Sequence, residues 1–86
     1  MTGRAVAVPL ARIVKYLPER GKWYAPAWQG IEGLFAIRHV GFADTPPMFQ
    51  VVRLSKAGGR PEEISDPFLT IESAERTARR MAEGTS

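Results

Sequence analysis

Hydrophobic positions recur at helical spacing most clearly between Phe68 and Gly84. Ile71, Ala74, Ala78, Met81 and Ala82 fall within an arc of about 100° at the helical period, and every charge of the stretch lies outside it. This predicts a helix over Thr70–Glu83. The Thr70 hydroxyl can take an orphan backbone N–H of the first turn, and Phe68, ahead of the cap, can pack over that turn as a staple. Gly84 can end the helix in the left-handed conformation without a Cβ clash. Glu72 and Arg76, and Glu75 and Arg79, stand in the favourable order for i,i+4 pairs. A helix of this length is marginal alone in water, so its apolar stripe requires a surface to cover. The small alanines on the stripe predict a close approach to a sheet.

Elsewhere the period is two. Leu34–Val40 alternates, with Phe35 and Ile37 on one face and Ala36 and Arg38 on the other; Met48–Leu54 sets Phe49 and Val51 against Gln50 and Val52. Lys22–Trp28 is aromatic and strand-like, but Pro26 has no N–H and confines that position to an edge strand or a bulge. Gly30-Ile31-Glu32-Gly33 reads as a turn, residues 41–47 as a loop, and Ala57-Gly58-Gly59-Arg60 as a hairpin turn, with Pro61–Ser65 returning as a short fourth strand. Near the start, Leu10, Ile13, Val14 and Leu17 follow the i, i+3, i+4, i+7 rule and predict a short helix opened by Pro9. A strand through Ala5–Val8 followed by an irregular segment is the competing reading. The expected fold is α+β: a three- or four-stranded antiparallel sheet with the C-terminal helix packed on one face, with or without a short N-terminal helix ahead of it (α-β-β-β-α). Because both strand faces carry apolar residues, Leu34, Val52 and Leu54 need a cover: the N-terminal helix, a second copy of the chain, or a partner.

Composition narrows this picture. Eighty-six residues hold one core, so residues 1–86 are expected to form a single domain. The chain has no cysteine, which excludes disulfides and thiolate metal sites. His39 is the single histidine and the carboxylates are scattered. No catalytic set and no metal-ligand spacing results, and a nonenzymatic protein without cofactor or metal is expected. Glu62-Glu63 reads as a solvated pair in a turn region. Pro9 and Arg12 break the short apolar run near the N-terminus, so no secretory signal is read there, and no run of about 18 apolar residues offers a membrane span. The expected location is the cytoplasm. Arginine outnumbers lysine nine to three, the usage of a GC-rich bacterial or phage genome.

The net charge is +3, unevenly spread. Residues 1–30 set Arg4, Arg12, Lys15, Arg20 and Lys22 against Glu19 alone, whereas acids outnumber bases over residues 61–86. Within the basic third, Arg12, Lys15, Arg20 and Lys22 are interleaved with Tyr16, Trp23, Tyr24 and Trp28. Cations at phosphates and rings on bases are what a nucleic-acid surface needs, although small domains also use such rings as core filler with a polar tip. The candidate nucleic-acid-binding set is Arg12, Lys15, Arg20, Lys22, Trp23 and Trp28. The Gly30–Gly33 spacing also matches the bare GxxG of KH domains, but that loop joins helices and this one lies between predicted strands.

Two resemblances bear on partners. The predicted element order, ending in Ser73-Ala74-Glu75-Arg76-Thr77-Ala78-Arg79-Arg80-Met81-Ala82, resembles a double-stranded RNA-binding domain in the alanine spacing of its last helix. That family opens the helix with phosphate-clamping lysines, where this chain has Glu72 and Glu75. The run Phe68-x-Thr70-x-Glu72-x-Ala74 is similar to integrase arm-binding domains. That resemblance implies a three-stranded sheet set into DNA, with Arg38 and Arg53 as sheet residues that alternation places on opposite faces. The expected function is a small nonenzymatic binding module associated with nucleic acid through its basic, aromatic N-terminal third. The alternative is a protein–protein interaction module, a homodimer or an inhibitor or adaptor of a larger complex, using an apolar sheet face or edge.

Overall fold

The computed structural model describes residues 5–13, 22–30, 33–41, 44–54 and 61–84. They form β1 (Val6–Val8), α1 (Leu10–Ile13), β2 (Trp23–Gly30), β3 (Gly33–Val40), β4 (Met48–Leu54), β5 (Glu62–Glu63) and α2 (Ile71–Ala82). The α+β class is as expected, and among the described residues the sheet has five strands in the order β1-β2-β3-β4-β5, every neighbouring pair antiparallel. The two strands that flank the central three have three and two residues: β5 answers the expected return over Pro61–Ser65, and β1 the strand reading of Ala5–Val8. Both readings of the N-terminus hold in part, since a strand and then a single helical turn occupy it. Val14 and Leu17, which the longer helix would include, lie outside the described residues.

Strand register sorts the side chains into two cores. Phe35, Ile37 and Val51 pack under Ala74, Ala78 and Ala82 of α2, with Tyr24, Trp28, Phe49, Ile64, Phe68 and Met81 around them. On the opposite face Leu34, Ala36, Val52 and Leu54 are buried with Ala27 and Ile13, and Val8, Leu10 and Trp23 pack against them. The cover that this second face requires is therefore supplied in part by α1, through Leu10 and Ile13, and by Val8 of β1.

α2 follows its sequence closely. Thr70 Oγ1 accepts from the Ser73 backbone N–H at 3.3 Å, so the predicted N-cap is in place. Phe68 is joined to Phe49 by two backbone bonds of 2.7 and 2.8 Å, which tie the entry of α2 to the outer edge of β4. Gly84 has φ of 85° and donates to the Met81 carbonyl at 3.0 Å, closing the C-terminus. The predicted i,i+4 pairs do not close: the ion pair of these residues joins Arg79 Nε to Glu83 Oε1 at 3.9 Å. At its far end α2 lies directly over β2, where a Cβ on Gly30 would collide with the Ala82 carbonyl.

β2 is an inner strand, paired with β1 on one side and β3 on the other. Pro26 is accommodated because the register shifts between Tyr24↔Ile37 and Trp28↔Phe35, so that residues 25–27 oppose Ala36 alone. β1 pairs only with residues 27–29, which leaves the missing N–H of Pro26 outside both ladders. Of the two positions open to Pro26 it takes the bulge, and the strand stays central.

Candidate nucleic-acid interface

β3 serves as a ruler for the two tryptophans. Trp23 pairs with Arg38 and Trp28 with Phe35, and these β3 residues are an odd number apart, hence on opposite faces. Trp23 accordingly joins the core on the α1 side, and Trp28 joins the core under α2. The two rings cannot form one stacking platform. Both are half-buried.

Trp28 is held by the helix. The Arg79 guanidinium lies over its ring, 5.8 Å from the centroid, and its indole N–H is buried without an acceptor. Arg12 is exposed on α1, one position from the buried Ile13 that packs into the same core as Trp23. Lys22 is exposed immediately before Trp23, and its carbonyl accepts from the His39 N–H at 2.8 Å, fixing where β2 begins. Lys15 and Arg20 lie outside the described residues, as does Tyr16. Arg12 thus lies on the α1 side of the sheet with Trp23, whereas alternation turns Lys22, level with His39, toward the other face, where Trp28 also lies.

The two sheet arginines are on opposite faces, as alternation requires, and each is engaged by an acid. Arg53 donates to Glu62. Arg38 donates through Nη2 to Glu63 and through Nε and Nη2 to Gln50 Oε1, at 3.3 and 3.1 Å. Glu62 and Glu63 are therefore exposed but paired, where the sequence suggested a solvated turn. They form β5, and the alternation of that strand sends one acid to each face. Gln50, 6% exposed, completes the group by donating its amide to the Ser65 carbonyl at 3.0 Å. Sequence reasoning passed over it; the available signal was a polar residue amid Phe49, Val51 and Val52, which burial obliges to find partners.

Other chemistry has little footing among the described residues. His39 is half-buried opposite Phe49, and no three His, Cys, Asp or Glu side chains are grouped to hold a metal ion. Gly30 and Gly33 end β2 and begin β3, so the GxxG spacing joins strands. No helix among these residues is long and apolar enough to cross a membrane. Comparison with protein-family models, with curated proteins and with solved structures finds no match.

Proposed function

We propose that this protein is a small nonenzymatic binding module that associates with nucleic acid through the side formed by α1 and the start of β2. The observation that carries this reading is a contrast between its cations. Arg12 and Lys22 are exposed and in no ion pair with the described acids, whereas Arg38 and Arg53 are already matched by Glu63 and Glu62. Unmatched cations beside a half-buried ring suit a phosphate backbone with one base stacked against Trp23. Lys15 and Arg20 complete the proposed set, and Trp28 leaves it. The sheet-in-groove mode implied by the integrase resemblance is disfavoured, since α1 packs on the face opposite α2.

Titration of fluorescent single-stranded and duplex oligonucleotides at several salt concentrations tests this. Arg12→Ala or Lys22→Ala is expected to lower the slope of log K against log salt by roughly one unit. Trp23→Ala is expected to cost roughly 1–3 kcal/mol of single-strand affinity. Absence of binding at low salt would refute the proposal.

A second reading rests on the β1 edge. Val6 is 55% exposed on a strand that, among the described residues, is paired on one side only, an opening for strand addition by another chain. It takes the place of the apolar sheet face in the protein-interaction alternative, because Leu34, Val52 and Leu54 are buried. Light scattering separates the two: the nucleic-acid reading expects a monomer, and pairing of two copies through β1 expects a dimer broken by Val6→Lys.

A further inference from the structure

We propose that the hollow between α2 and Trp28, on the face away from α1, binds a small molecule carrying both a carboxylate and a cationic group. The hollow measures about 200 Å³ and is lined by Trp28, Glu72, Glu75, Arg76 and Arg79. This is larger than the cavity of about 150 Å³ that takes up benzene and smaller than the roughly 300–1,000 Å³ of drug-sized sites.

Its four charged residues stand at i, i+3, i+4 and i+7, so one face of α2 presents them all. The acids lie toward the N-terminus of the helix and the arginines toward its C-terminus, with centres four residues, about 6 Å, apart along the axis. Neither Glu72 with Arg76 nor Glu75 with Arg79 closes to an ion pair; among the described acids Arg79 pairs with the half-buried Glu83, at 3.9 Å. Trp28 lines the hollow beside them, with the Arg79 guanidinium 5.8 Å from its ring centroid.

A bare anion in this hollow would be repelled by Glu72 and Glu75, and a bare cation by Arg76 and Arg79. A ligand with both charges about 6 Å apart meets an opposite charge at each end. Its cationic group sits between Glu72 and Glu75. Its carboxylate takes Arg76 and Arg79. No bond is made or broken; the site is one of equilibrium binding.

Nuclear magnetic resonance of the two indole N–H groups tests this directly, with Trp23→Phe leaving only the Trp28 signal. The probes are 4-aminobutanoate, butanoate and butylamine, titrated at constant ionic strength. 4-Aminobutanoate is expected to shift the Trp28 signal saturably and to bind about tenfold more tightly than either single-charge probe, the worth of one charged hydrogen bond. Arg76→Gln and Glu72→Gln, both at exposed positions, are expected to weaken it by a similar factor with the melting temperature unchanged. The proposal is overturned by the absence of a saturable shift at Trp28, by equal affinity for the three probes, or by indifference to both substitutions.

Discussion

A glutamine between Phe49 and Val51 in a central strand must satisfy both ends of its amide or destabilise the sheet. Gln50 does so with Arg38 on one side and the Ser65 carbonyl on the other, which places it at the junction of β3, β4 and the segment after β5. Gln50→Leu is expected to lower stability by about 1–3 kcal/mol in urea unfolding, because Arg38 loses an acceptor and the part-buried Ser65 carbonyl loses its donor. Gly30 is the other position where one atom decides the outcome. Gly30→Ala puts a methyl group into the Ala82 carbonyl, and the shift of α2 needed to relieve it is expected to cost about 1–3 kcal/mol. Thermal unfolding checks this, and an unchanged midpoint would mean that α2 does not lie so close to β2. Neither residue was legible as special, because each depends on a neighbour distant in sequence. The separation of the tryptophans was legible: positions 23 and 28 differ by an odd number, so alternation along one strand already sets them on opposite faces, and the bulge at Pro26 preserves that parity.

Among elements, α2 was the most legible because its determinants are local. A threonine cap, a stripe of alanines and a terminal glycine all act within a few residues of one another, and each is found in its expected role. Ala78→Glu forces a charge into the seam between α2 and the sheet, where Ala78 is fully buried. An uncompensated buried charge costs about 3–5 kcal/mol. A domain of this size retains roughly 4–13 kcal/mol, so the variant is expected to be unfolded or close to it by circular dichroism. Thr70→Ala is expected to cost about 1 kcal/mol, a mild change in the same assay. β3 and β4 were legible from alternation and β5 as the return after the turn signal at residues 57–60, whereas β1 could be read only as one of two alternatives, since the ladder with β2 gives it its strand character. Of the ion pairs anticipated along α2, Glu75–Arg79 fails because Arg79 is drawn over the ring of Trp28 and toward Glu83, while nothing in the structure explains the open Glu72–Arg76 pair.

At the scale of the molecule, the sheet buries apolar residues on both faces, beneath α2 on one and beneath α1 on the other. On the proposed reading, recognition lies not on the sheet faces but at the end of the sheet where α1 and the start of β2 meet. The need for a second cover could be read from Leu34, Val52 and Leu54, but the choice among α1, a second copy and a partner could not, since one helical turn carries too few apolar positions to announce its role. The excess of positive charge in the first third was equally plain from composition, while its pairing pattern depended on β5 bringing Glu62 and Glu63 against Arg53 and Arg38. The most direct test of the central claim is the salt dependence of oligonucleotide binding by the unaltered chain, compared with the Arg12→Ala, Lys22→Ala double variant. Both substitutions are at exposed positions, so stability should not change. A steep fall in affinity with salt, with the slope reduced by roughly two units in the double variant, is the expected result. Equal slopes for the two proteins, or no binding by either at low salt, would contradict the assignment of this surface to nucleic acid.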